Sequence, residues 1–163
     1  MKLLITLILS ICFIINVYAE SNQQLYLYIE GSYTPVPTGW YIEYKKSPNL
    51  FIVFAPAENE KDTFQENYNL VMEYLPKVYS ISNYMTASVI QLKNVYTDFK
   101  ILKTGTNYHI YQGKLGDNQL KQMQYFFIKE KTAYILTFSA LLNSFGDYEE
   151  IFISIAENFS LKE

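Results

Sequence analysis

The sequence predicts an α+β fold, an antiparallel sheet flanked by helices, and three stretches carry that prediction. The C-terminal block from Thr132 to Phe159 reads strand, short loop, helix. Within it Tyr134-Ile-Leu-Thr-Phe138 is apolar on both faces, as in a strand covered on two sides. Tyr148, Ile151, Phe152, Ile155, Ala156 and Phe159 then fall on one helical stripe, worth roughly 10 kcal/mol of gross burial before entropy is subtracted. The stretch from Asp98 to Ser139 reads as four antiparallel strands, Asp98–Lys103, Asn107–Leu115, Gln119–Lys129 and Ala133–Ser139. Thr104-Gly-Thr106, Gly116-Asp-Asn118 and Lys129-Glu-Lys131 supply turns too short for anything but antiparallel neighbours. Finally, Ile81, Tyr84, Met85, Ser88, Val89, Leu92, Val95 and Tyr96 form one helical face, with Ser80 as N-cap.

The remaining elements follow in order. Lys2, the apolar run Leu3 to Val17 and Val17-Tyr-Ala19 form a secretory leader, with cleavage expected between Ala19 and Glu20. The run falls short of the ~20 residues a spanning helix needs, so no stable membrane span is expected after cleavage. A lipoprotein reading through Cys12 would put the cut inside the apolar run, with Ile11 where a small residue belongs. Residues 20–32 read as an N-terminal arm or edge strand around Leu25-Tyr-Leu-Tyr-Ile29, and 33–163 as a single domain. Tyr33-Thr-Pro-Val-Pro-Thr-Gly-Trp40 reads as a turn feeding a half-buried strand in which Trp40, Ile42 and Tyr44 alternate with Tyr41, Glu43 and Lys45. After a turn at Ser47-Pro-Asn49, Leu50 to Phe54 is a strand apolar on both faces. The segment from Phe64 to Tyr79 fits both a strand and a helix by periodicity, and Pro76 ends either. Ser144 is expected to cap the last helix, with Asp147, Glu149 and Glu150 favouring its dipole.

Composition narrows the function classes. The only cysteine, Cys12, leaves with the leader, so the mature chain has no disulfide, thiol nucleophile or thiolate metal site. There is no arginine, which makes nucleic-acid recognition improbable, and the dispersed lysines form no basic face for anionic lipid.

Several pieces together resemble the PsbP-like superfamily, which includes bacterial DcrB-type envelope proteins. They are Val36-Pro-Thr-Gly-Trp40, Phe64-Gln-Glu-Asn67 leading into Asn69-Leu-Val-Met72, Ala133-Tyr-Ile-Leu-Thr-Phe-Ser139, and Phe145 with Tyr148, Phe152, Ile155 and Phe159. The resemblance implies an α/β/α sandwich and makes Phe64 to Tyr74 a strand. It also implies a mostly non-enzymatic role, as an assembly or accessory subunit. No functional residue carries over from it, and a photosynthetic role is not expected, because the N-terminal stretch does not read as a plastid transit peptide.

Candidate sites are few. His109 is the only histidine, so any Ser-His-Asp or histidine-metal scheme must pass through it; no partner spacing marks it, and a strand residue at the surface or bonded to the sheet's cover is expected. Glu58, Glu60 and Asp62 alternate as at the start of a calcium loop, but Lys61 intrudes and the required glycine and distal glutamate are missing. Adjacent Glu149 and Glu150 point in different directions on a helix, and Asn158-Phe159-Ser160 is a glycosylation sequon with its centre on the buried stripe. What is left is the aromatic excess, 16 Tyr and 11 Phe. Tyr26, Tyr28, Tyr33, Tyr41, Tyr44 and Tyr79 crowd the N-terminal half with Trp40, and Tyr33, Trp40, Tyr41 and Tyr44 form the expected contact patch. The expected role is an exported, periplasmic or secreted, non-catalytic binding or accessory protein of the cell envelope, without metal or cofactor, whose partner is an envelope protein or a small ligand. A hydrolase without a readable motif and a carrier of a small apolar ligand are the alternatives.

Overall fold

The structure, a computed structural model, describes residues 25–45 and 49–162. The leader, its cleavage point at Ala19 and Glu20, Cys12 and most of the Ser47-Pro-Asn49 turn lie outside the described residues.

Seven strands form the main sheet, all antiparallel. They are β3 (Tyr41–Tyr44), β4 (Asn49–Phe54), β5 (Asn67–Tyr74), β6 (Thr97–Thr104), β7 (Tyr108–Leu115), β8 (Asn118–Lys129) and β9 (Thr132–Leu141), in the spatial order β3-β4-β5-β9-β8-β7-β6. The up-and-down run from β6 to β9 is the one expected from its turns. Gly116 and Glu130 sit in the left-handed region that two-residue hairpin loops require. The ambiguous stretch is strand from Asn67 onward, fixed by a register with β9 that runs from Asn67↔Ser139 to Tyr74↔Thr132. Here tertiary pairing decides what periodicity leaves open.

Helix α1 (Ile81–Val95) lies on one face and α2 (Phe145–Glu157) on the other. Ser80 caps α1 as expected, its side chain accepting from the Asn83 N–H at 3.2 Å. Ser144 departs from expectation: its side chain caps nothing in α2. Its hydroxyl instead donates to the buried Glu66 carboxylate and to the Leu141 carbonyl. A carboxylate with almost no contact with water is the stronger acceptor, and the helix start gives up its side-chain cap to satisfy it.

A second, three-stranded sheet completes the α2 layer, in the order β1 (Leu25–Ile29), β2 (Ser32–Val36), β10 (Ser160–Leu161). Glu30 and Gly31 both have positive φ and make the tight β1–β2 turn, closed by Ser32 Oγ donating to the Ile29 carbonyl at 2.7 Å. Leu27 and Val36 enter the same core as α2, so the N-terminal hairpin is part of the sandwich.

The two faces of the main sheet differ. On the α2 face Phe51, Tyr68, Leu70, Met123, Leu136, Phe138, Phe145 and Phe152 are fully buried in one aromatic cluster. Phe152 alone meets Phe138 at 5.1 Å, Phe145 at 5.8 Å and Trp40 at 6.4 Å. On the α1 face the buried apolar cluster is small: Leu75, Met85, Phe126, Ala133 and Ile135. Met85 is the only buried residue of α1, and Val95, expected on its inner face, is exposed.

Candidate functional site

The four residues of the expected contact patch do not share one surface. Trp40 is half-buried and turns into the core, 6.2 Å from both Tyr68 and Tyr148. Tyr41 and Tyr44 are exposed on β3 three residues apart, so their side chains leave opposite faces of the strand. Tyr41 stacks on Phe54 at 5.2 Å and donates its hydroxyl to Gln65 Oε1 at 2.8 Å. Tyr44 is 60% exposed. Tyr33 belongs to the small sheet, paired with Tyr28 and 4.7 Å from its ring.

The hairpin is where exposed aromatics concentrate. Tyr28 and Tyr26 are 52% and 46% exposed, with Leu25 and Tyr33 beside them. Tyr26 and Pro35 form one wall of an open groove of about 520 Å³, and Ile151 and Ser154 of α2, with Asn158 at the helix end, form the other. Strand β1 is the outer strand of its sheet among the described residues, and its five residues, Leu-Tyr-Leu-Tyr-Ile, include no charge and no proline.

The two edges of the main sheet are guarded. Strand β6 carries Asp98, Lys100 and Lys103, is broken by two register shifts, and holds Asp98 in the left-handed region. Strand β3 carries Glu43, ion-paired with Lys45 at 2.6 Å. Charges and bulges are the usual devices that stop a strand edge from recruiting another chain, and β1 has neither.

No catalytic constellation gathers around His109. It is buried beneath α1, with Nδ1 3.1 Å from Thr104 Oγ1 and its ring edge-on to Phe126 at 5.7 Å. Of the two places expected for it, the structure gives the one against the sheet's cover. Burial pushes its pKa below the usual value, and the Met85 backbone carbonyl opposes that shift. Among the described residues no three His, Cys, Asp or Glu side chains cluster to hold a metal.

The acidic loop satisfies itself, as Asp62 accepts from the backbone N–H groups of Glu58 and Phe64 at 3.1 and 3.0 Å. Glu149 pairs with Lys121 at 3.8 Å. Tyr148 has its pKa pushed up to about 12, first by burial and then by the negative charges of Glu66, Glu58 and Asp62.

Sequence reasoning missed a set of polar residues on the α1 face, because each looks like an ordinary strand residue alone. Cross-strand register lines them up in two rows. One runs Ile52, Asn69, Thr137, Gln124, His109, Thr104, and the next runs Phe54, Asn67, Ser139, Gln122, Tyr111, Ile101. Within them Gln124 Nε2 donates to Thr137 Oγ1 at 3.0 Å and Gln122 Nε2 to Ser139 Oγ at 2.6 Å. Asn69 Nδ2 donates to Asn49 Oδ1 at 3.1 Å, and Ser88 of α1 reaches Gln124 Oε1 at 3.3 Å. The signal available in the sequence was the alternation of amide and hydroxyl side chains at Asn67 and Asn69, Gln122 and Gln124, and Thr137 and Ser139.

An antiparallel sheet between two helices, completed by an N-terminal hairpin on one side, defines an α+β sandwich of the PsbP-like fold. No protein-family model matches the chain, and no curated protein matches it in sequence. Solved structures do. Cyanobacterial PsbP (CyanoP) from Synechocystis sp. PCC 6803 superposes with a TM-score of 0.58 at 12% identity, over 94% of this chain and 98% of that one. PA94 from Pseudomonas aeruginosa, whose function is unknown, gives 0.61 at 12% identity, over 86% and 98%. LpqN, involved in cell envelope biogenesis of Mycobacterium tuberculosis, gives 0.57 at 12% identity, over 86% and 91%. At this identity the likeness establishes the fold. No helix among the described residues is long and apolar enough to cross a membrane.

Proposed function

We propose that this chain is an exported, non-catalytic accessory domain of the cell envelope that docks an extended segment of a partner protein onto the open edge of β1. The observation that carries this reading is the unguarded edge: five consecutive apolar or aromatic residues on an outer strand, whereas both edges of the main sheet are charged or bulged. An added strand would draw affinity from main-chain hydrogen bonds, and Tyr26, Tyr28 and Tyr33 would supply side-chain contact. Tyr41 and Tyr44 belong to a separate edge and are secondary contacts in this reading. The division into a leader of residues 1–19, an N-terminal segment 20–32 and a body 33–163 is part of the proposal. Export draws its support from the leader-like N-terminus and from the fold shared with a cell-envelope protein. A hydrolase reading is disfavoured because His109 lies under a helix against Phe126, away from any carboxylate partner in the hydrogen-bond network.

The test is photo-crosslinking in cells from position 28, with exposed Tyr74 as the control position. A discrete adduct from position 28, absent from position 74 and abolished by Tyr26→Lys, is the expected result. The same products from both positions, or no adduct from either, contradicts it. N-terminal sequencing of the mature protein is expected to begin at Glu20.

A further inference from the structure

The polar rows on the α1 face form a feature independent of the β1 edge, on the opposite side of the main sheet. Helix α1 contacts β6 and β8, and between it and the sheet a recess of about 230 Å³ opens. Val71 and Ile135 give it an apolar floor, Leu92 and Val95 an apolar lip, and Ser88, Gln124 and Thr137 contribute polar atoms alongside Glu73, Tyr84 and Gln91. Gln124 and Thr137 are each more than nine-tenths buried, so these polar groups are built into the wall and held by their mutual bond. From Thr137 the row continues onto the adjacent strands through half-buried Asn69 and Ile52, with Asn67 and Phe54 alongside and the Tyr41 ring at the far end.

We propose that this recess and the adjoining amide rows bind a neutral saccharide. Charge is the first argument: neither row contains an acidic or basic side chain apart from His109, and burial keeps His109 towards its neutral form. No lysine lines the recess to hold an anion, and its one acid, Glu73, already accepts the Tyr84 hydroxyl. The second argument is the pattern of hydrogen-bonding capacity left over. Thr137 and Ser139 accept from the glutamines, so each keeps its own hydroxyl hydrogen to give. Asn69 donates to Asn49, so its Oδ1 remains to accept. Leftover donors and acceptors therefore stand on neighbouring strands about 4.8 Å apart. A sugar hydroxyl both gives and takes a hydrogen bond and satisfies such a mixed row, whereas each backbone group of a peptide does only one.

The third argument is shape. The C–H face of a sugar ring needs an apolar bed, which Val71 and Ile135 provide, and an aromatic ring, which Tyr41 offers at the end of the lane. An apolar ligand would instead leave the remaining Thr137 hydroxyl hydrogen and Asn69 Oδ1 unmet, at the cost of covering polar atoms with hydrocarbon.

The experiment is an NMR titration with cellotriose, maltotriose and chitotriose as separate probes and an uncharged tripeptide as comparison. The expected result is saturable shifts at the side-chain amides of Asn69 and Gln124 with at least one of the sugars, at a Kd of about 1 mM or tighter. Asn69→Ala and Ser88→Ala, each first shown to melt as wild type does, should weaken that binding about tenfold. Chitotriose alone binding would specify an N-acetylated sugar, and all three binding would specify a general polyol face. The inference is overturned by no shift at these amides up to about 10 mM sugar, by equal binding of the tripeptide, or by wild-type binding in both variants. Ser88 is on the helix surface facing the recess and Asn69 is on the sheet, so loss of folding in one variant leaves the other to decide.

Discussion

The two faces of the main sheet are built from the same strands, yet they differ in chemistry. Towards α2, β4, β5 and β9 present Phe51, Tyr68, Leu70, Leu136 and Phe138, and Phe152, Phe138, Tyr68 and Trp40 interlock ring against ring. Towards α1 the same strands present Asn67, Asn69, Thr137 and Ser139, and the helix inserts one methionine. Because adjacent residues of a strand face opposite sides, a single sequence writes both texts at once. The difference teaches where the stability resides: one face is dry and dense, and the other is held more lightly, with polar side chains where its counterpart has an aromatic cluster.

The largest effect that would sharpen this contrast is Phe152→Ala, expected to destabilise by about 3–5 kcal/mol because it empties the centre of the aromatic cluster. Denaturant unfolding measures it directly. Met85→Ala, the matching truncation on the other face, is expected to cost about 2 kcal/mol, since the small cluster around it can partly close. Equal costs for the two would break the comparison.

Next in size is the buried amide pair. Thr137→Val removes the acceptor for Gln124 Nε2 and leaves a buried donor, at about 1–3 kcal/mol.

Acid is expected to destabilise the α1 side through His109. Its folded pKa lies below the unfolded value, so the stability it contributes is present above about pH 6.5 and is lost as pH falls through the folded pKa. A pH series of melting curves checks this, and His109→Gln should flatten that limb.

The smallest effect is at high pH. Tyr148 has its pKa raised from 10.0 to about 12, so its contribution is intact below pH 10 and declines as pH rises towards 12. Tyr148→Phe should soften that decline.

The dense face was the legible one. The stripe Tyr148, Ile151, Phe152, Ile155, Ala156, Phe159 and the doubly apolar strand at Tyr134–Phe138 announced α2 and β9, since burial of large side chains leaves a strong period. The meander was legible for a different reason: its short turns permit one connectivity. The polar face was not, because Asn69, Thr137 and Gln124 become neighbours only through β5–β9–β8 register, and Asn69 is remote in sequence from the other two. The small sheet was missed for the same reason, as its third strand is the two residues Ser160–Leu161, far from the hairpin they join. The expected patch grouped Trp40 with Tyr33, Tyr41 and Tyr44 by composition, and composition has no direction; the core took the tryptophan and the strand pleat split the tyrosines.

Native-state hydrogen exchange of the purified protein tests the division of labour most directly. The expected result is that amides of α2, β8 and β9 exchange only through global unfolding, while those of α1 exchange through a partial opening at distinctly lower free energy. Exchange of α1 and α2 at one common free energy would contradict it, because the polar side would then be held as firmly as the aromatic one.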